Sequence, residues 1–194
     1  MRQPLYTAES DPYCYPNSDV LENKAGLTTV EALALFETAM TFARSEEPLP
    51  AGRCSVRHYR SIHKHLFQDV YEWAGRFRSV RLTKGSSTFC YPENIAAEMS
   101  RIFAWLRHER HLRDRSVRGF CEGAAHLLAE INAIHPFREG NGRTQLTFLV
   151  VLADQAGHAI ALDRLDPDVT LDAMIRSFQG DERSLAALVE LLAS

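Results

Sequence analysis

Nine consecutive residues, His135-Pro136-Phe137-Arg138-Glu139-Gly140-Asn141-Gly142-Arg143, bring together a base, an acid, two glycines and two cations. Each residue type has a chemical use at that spacing. Pro136 stops a preceding helix and is expected to hold His135 extended. Gly140 and Gly142 lack a Cβ, so their backbone N–H groups can come close to a ligand. With a helix beginning at Asn141, those N–H groups lie at its N-terminus, where unpaired donors and the helix dipole favour an anion. Arg143, one turn in, adds a fork-shaped charge for phosphate. Glu139 stands beside that phosphate site, a sensible place for a Mg²⁺ ligand. His135 titrates near neutral pH and can take a proton from a hydroxyl nucleophile. Phe137 reads as a core anchor for the loop. Anion hole, metal ligand, cation and base in one short segment suggest phosphoryl or nucleotidyl transfer.

The elements that must position this loop are mostly helical. Residues 1–27 are rich in Pro, Asn, Tyr and Asp and read as an irregular arm. Thr28 and Glu31 have capping-box spacing, and Val30, Leu33, Leu35, Phe36 and Met40 follow as the apolar residues of a helix ending near Glu46. A second helix fits 55–73, with Ile62, Leu66, Val70 and Trp73 at helical spacing. From Phe77 to Leu82 the period changes to two, Lys84-Gly85-Ser86-Ser87 is turn material, and Thr88 to Tyr91 is a second extended run closed by Pro92. This predicts a β-hairpin, which must pack on helices to be stable. Helices resume over about 93–110, 116–134, 141–156, 169–179 and 183–193, with Gly157 as a C′ residue. The expectation is a mainly α fold with one small hairpin. It is one domain over 28–194, with a core of about 55–160, preceded by the arm.

The bulk properties narrow the function further. The chain has 194 residues, 45% of them apolar and 24% charged, with a formal net charge of −3. That balance argues against a nucleic-acid binder working through bulk electrostatics. A band rich in Arg, Lys and His between Arg53 and Arg118 is read as solvated helix faces, with some charge near the phosphate site. The first residues are polar and proline-broken, without a leader pattern, and no apolar run nears the ~20 residues of a membrane span. A cytoplasmic protein with no membrane and no direct nucleic-acid partner is expected. Cys14, Cys54, Cys90 and Cys121 lie far apart without a CxxC pair, and read as reduced thiols rather than zinc ligands.

His135 to Arg143 resembles the signature of the Fic family, HxFx(D/E)GNGRxxR. The likeness extends to LTKGSSTFCYPENI, similar to the family's flap, to RSIHKHLFQDVYEWAGRFR, similar to the helix leading to it, and to DPYCYPNSDVLENKAG, similar to the arm of small bacterial Fic toxins. It covers about residues 11–160. The resemblance implies a Fic-type helical domain with a β-hairpin flap. It also implies a protein adenylyltransferase that moves AMP from ATP to a Ser, Thr or Tyr hydroxyl with the help of Mg²⁺. His135 would be the general base and Glu139 the Mg²⁺ ligand. Gly140, Asn141 and Gly142 would form the anion hole, and Arg143 would bind phosphate oxygens. The flap, Leu82, Thr83, Lys84, Gly85, Ser86, Ser87, Thr88 and Phe89, would pair with an extended segment of the target by β-augmentation. Toxin-type members further imply a small antitoxin partner and, as a target class, type II topoisomerase ATPase subunits.

The sequence departs from the family at one position. Leu146 stands where the second arginine of the signature holds the γ-phosphate. Arg138 and Lys84 are the candidate replacements by position. Ser18-Asp19-Val20-Leu21-Glu22-Asn23 matches the family's inhibitory pattern (S/T)xxxE(G/N), making Ser18 and Glu22 a candidate inhibitory pair. Three alternatives stay open. One is a Doc-like protein kinase, against which the intact Gly-Asn-Gly speaks. The second is a transferase using another nucleotide donor. The third is a catalytically lapsed fold that binds nucleotide or antitoxin.

Overall fold

Seven α-helices, two short 3-10 turns (Arg110–Leu112 and Leu162–Arg164) and one two-stranded ribbon make up the regular structure of the described residues, 11–84 and 87–193, in the computed structural model. Gly85 and Ser86, at the tip of the expected flap, lie outside the described residues. The helices are α1 (Val30–Ser45), α2 (Val56–Phe67), α3 (Pro92–His108), α4 (Val117–Ile134), α5 (Asn141–Ala156), α6 (Pro167–Phe178) and α7 (Arg183–Ala193). Strands β1 (Thr83–Lys84) and β2 (Ser87–Thr88) pair antiparallel, Thr83 opposite Thr88 and Lys84 opposite Ser87. The fold is mainly α, as the sequence predicts. None of the helices is long and apolar enough to cross a membrane. The four cysteines are free thiols, Cys54 and Cys121 buried.

Several boundaries follow from local chemistry. Ser116 caps α4 by accepting from the Gly119 N–H, and Asp166 caps α6 by accepting from Asp168 and Val169. The cap of α1 is Thr29, which accepts from the Ala32 N–H, one residue later than the Thr28 spacing suggests. The buried face of α1 also differs from the expected one: Leu33 and Thr41 are buried, whereas Val30 and Leu35 are exposed. Helix α2 ends at Phe67, short of 73, because the Val70 and Tyr71 N–H groups turn back onto the Phe67 carbonyl. Residues 77–82 alternate in character but form no ladder, so the ribbon is shorter than predicted. The Val80 carbonyl accepts from the Arg78 side chain at 2.5 Å instead of from a facing strand.

The chain divides into two compact units. The first holds the described residues up to Ile95 together with Pro136–Thr144, and the second holds Ala96–His135 and the chain from Gln145. In the first, α1 packs on α2, and the core is aromatic: Tyr59, Phe67, Tyr71 and Phe137 are all at most 1% exposed. Each such side chain contributes about 1.5–3 kcal/mol through burial. In the second, α4 packs on α6 and α7, and α6 packs on α7, around Phe120, Ile131, Leu185 and Val189.

Candidate functional site

The loop after α4 begins with an unusual backbone. His135 caps α4 in the left-handed conformation, φ 49° and ψ 63°, with its N–H on the Ile131 carbonyl at 2.8 Å. The expected extended geometry is not adopted, because turning left-handed at the cap completes the last helical hydrogen bond before Pro136 stops the helix. The first stretch of the second unit ends at His135 and the first unit resumes at Pro136, so His135 and the loop are covalently adjacent.

Within the first unit, Phe137 anchors the loop. Its ring is fully buried and stacks on Tyr59 at 5.7 Å and on the His63 imidazole at 3.7 Å. Asn141 then closes the loop on itself. Its Oδ1 accepts from the Phe137 N–H and its Nδ2 donates to the Phe137 carbonyl, both at 2.9 Å. With its side chain spent on this clamp, Asn141 has only its main-chain N–H to offer a ligand. Gly140 has φ +79°, and a Cβ there would run into the Phe67 ring, so glycine is required twice over. Its N–H donates to its neighbour's carboxylate, Glu139 Oε1, at 2.9 Å. Nothing lies within 4 Å of a Cβ built at Gly142, which leaves open space at the first turn of α5. The first helical bond of α5 runs from the Thr144 N–H to the Gly140 carbonyl. The N–H groups of Asn141, Gly142 and Arg143 are therefore the unpaired donors of a helix N-terminus, an arrangement that attracts phosphate.

The charges around this terminus are held by residues the motif does not contain. The Arg143 guanidinium pairs with Glu37 of α1, donates to Thr41 Oγ1 at 3.3 Å, lies 4.7 Å from the Phe67 ring centre, and has Glu139 3.8 Å away. Glu37 in turn accepts from the Tyr71 hydroxyl and is only 12% exposed. Glu37 escapes a motif search, yet it has a signal. Leu33, Glu37 and Thr41 stand four apart, so a carboxylate sits on the inward face of α1.

His63 is the second unsought residue. The Gly75 N–H donates to its Nδ1 at 2.9 Å, which fixes the proton on Nε2, and Nε2 donates to the Glu139 carbonyl at 3.0 Å. Burial pushes its pKa down to about 3, so the ring is a neutral strut. Arg78 is the third. Its N–H bonds the Pro136 carbonyl at 2.9 Å, and its guanidinium reaches the Val80 and Cys90 carbonyls, joining the loop to both legs of the ribbon. Leu82 and Phe89 are buried at the base of that ribbon, bonded Phe89 N–H to Leu82 carbonyl at 3.1 Å.

Burial, and then the neighbouring Glu37 carboxylate, raises the Glu139 carboxyl above the usual range, against the Gly140 N–H and Arg143. Among the described residues no three His, Cys, Asp or Glu side chains gather into a metal site. A divalent ion here would take Glu139 and draw its other ligands from phosphate and water, the mode Mg²⁺ favours. Of the two candidate substitutes for the arginine missing at Leu146, Arg138 is already committed. It pairs with Asp11 at 2.6 Å in a buried ion pair. Ser18 spends its Oγ on the Val20 N–H at 3.0 Å and Glu22 is exposed, so the acid that meets Arg143 is Glu37.

Comparison with known proteins agrees with this loop. The sequence profile of the Fic/DOC family matches residues 53–153. A protein of Sinorhizobium fredii named as the probable protein adenylyltransferase y4lH is 52% identical over 94% of this chain and 95% of its own. The protein adenylyltransferase VbhT of Bartonella schoenbuchensis is 37% identical over 95% of this chain, which spans 39% of VbhT. Among solved structures, the N-terminal Fic domain of a VirB-translocated effector of Bartonella quintana, with ADP bound, matches with a TM-score of 0.84. It is 26% identical over 93% of each chain. The chain belongs to the Fic/DOC family.

Proposed function

We propose that the protein transfers AMP from ATP to a hydroxyl side chain of another protein. The observation that carries this reading is the N-terminus of α5. Unpaired N–H groups of Asn141, Gly142 and Arg143 open onto free space at Gly142, with a guanidinium held beside them and a half-buried carboxylate at Glu139. The relationship to proteins named adenylyltransferases supports the same activity. In this account the α5 terminus, from Gly140 to Arg143, holds the phosphates, and Glu139 holds Mg²⁺, which supplies charge neutralisation on them. His135 accepts the proton of the incoming hydroxyl. The hydroxyl oxygen bonds the α-phosphorus, the bond from that phosphorus to the bridging oxygen breaks, and pyrophosphate leaves. The ribbon from Leu82 to Phe89, joined to the loop by Arg78, aligns the acceptor segment through main-chain pairing.

The wider assignment extends this reading. The chain works in the cytoplasm as an arm of 1–27 and a Fic domain of 28–194, the toxin of a pair whose antitoxin is a small protein. The exposed apolar stripe of Leu35 and Phe42, seven residues apart on α1, supports a protein partner on that helix. A type II topoisomerase ATPase subunit is the acceptor class this reading favours.

The test is transfer to proteins of a bacterial lysate from ATP labelled at the α-phosphorus, with γ-labelled ATP in parallel. Label from the α-position alone is the expected result. Label from the γ-position would make the protein a kinase.

A further inference from the structure

The outward face of α2 carries a charge pattern that helix stability does not explain. Tyr59, Ile62, His63, Leu66 and Phe67 are buried on its inner side, and Arg57, Arg60 and Lys64 are exposed on the other. These three cations follow at spacings of three and four, close enough to repel, and the first turn of α2 holds no acid to balance Arg57 against the helix dipole. Arg76 and Lys24 join them around a cleft of about 750 Å³ that holds five cations and one carboxylate, Glu72. Glu72 is matched by Lys24 at 3.5 Å, and Arg60 rests on the Gly75 carbonyl and the Phe77 ring. The other cations face an open cleft in a chain whose net charge is −3. Local repulsion kept without a local partner marks a surface shaped for something else.

The walls favour a polypeptide over a nucleic acid. Among the described residues Tyr71 is the one aromatic lining the cleft, it is 1% exposed, and its hydroxyl is spent on Glu37, so these residues offer no ring for a base to stack on. The volume lies within the ~300–1,000 Å³ of ordinary ligand pockets, which suits a short segment of chain. The cleft also backs onto the supports of the site. Its Gly75 holds His63, which holds Glu139, and its Tyr71 holds Glu37, which holds Arg143.

We propose that this cleft docks an acidic segment of the protein that accepts the nucleotide. The inference rests on the transfer reading above, in which main-chain pairing at the ribbon makes little demand on sequence. Charge complementarity in the cleft then supplies the selectivity and speeds encounter.

The test uses the full chain and an Arg57→Ser/Lys64→Ser variant, both checked for folding by circular dichroism. Fluorescence anisotropy measures a labelled peptide of alternating Asp and Glu, and a DNA strand of equal charge, at low and high salt. Calorimetry measures ATP binding to both proteins. The expected result is peptide binding weakened at least tenfold by the substitutions and by salt, DNA bound less tightly than peptide, and ATP affinity unchanged. Peptide binding equal in the two proteins, or DNA preferred, would overturn the proposal. ATP binding without peptide binding would overturn the cleft's role alone. Peptide binding without ATP binding would leave the cleft's ligand class standing and fault the nucleotide reading.

Discussion

Replacing Glu37 with glutamine separates two roles that its position beside Arg143 allows. The carboxylate accepts from Tyr71 and from Arg143 together, and is nearly buried, while the Arg143 side chain is 39% exposed. A charge-assisted hydrogen bond contributes about 1.5–3 kcal/mol, and solvent screening at Arg143 brings this pair to about 1 kcal/mol. Glutamine keeps the shape but has one carbonyl oxygen for two donors. An arginine has more N–H donors than its bonds to Glu37 and Thr41 use, so the pair steers the guanidinium without consuming it. We predict that Glu37 is a positioning residue. Glu37→Gln then weakens ATP binding by about fivefold, the equivalent of about 1 kcal/mol. A double-mutant cycle with Arg143→Ala, read by calorimetry, shows coupling of similar size because the loss in Glu37→Gln passes through Arg143. ATP bound more tightly by Glu37→Gln than by the wild type would rule out a positioning role, since Glu37 would then compete with phosphate. Strict additivity in the cycle would refute it as well.

Other outcomes follow from the same geometry. Gly140→Ala drives a methyl into the Phe67 ring at a positive φ, and should lower unfolding stability by about 2–4 kcal/mol in urea denaturation. The His63 pKa of about 3 lies below the unfolded value near 6.5, so its contribution to stability is complete above about pH 6.5 and is lost as the pH falls towards 3. The wild type should lose about 1.4 kcal/mol per pH unit more than His63→Gln across that window, and parallel pH profiles would remove His63 as the cause. Leu146→Arg restores a phosphate cation and should raise transfer from ATP by tenfold or more, at about 1.5–3 kcal/mol for the new bond. No gain in initial rate would mean that the γ-phosphate is not bound at that position.

Much of the fold was legible because its signals are local. Pro136, Gly157 and the helical stretches expected over 116–134 and 141–156 depend on neighbours in sequence, and α4 and α5 begin and end close to where they were expected. The boundaries that moved did so for tertiary reasons. Helix α2 gives way at Phe67 to an aromatic stack in which Tyr71 and Trp73 lie 4.3 Å apart. On the inward face of α1, beside the buried Leu33, Glu37 meets Arg143, 106 residues away. The site divides in the same way. The helix terminus proposed to bind an anion and the glycine at 140 sit in one short segment and can be read there, whereas the Asn141 side chain, expected to help form the anion hole, instead clamps Phe137. Glu37, His63, Arg78 and Asp11 reach the loop from distant positions. Each is polar and more than half buried, a trait no single-residue pattern reports.

If the loop holds a nucleotide while His135 serves the chemistry alone, His135→Ala separates the two functions. ATP affinity by calorimetry and transfer of the α-label are measured on the same preparation. The expected result is unchanged affinity and a fall in transfer of about 10²–10⁴-fold, the usual contribution of a general base. Transfer that survives the substitution at the wild-type rate would contradict it.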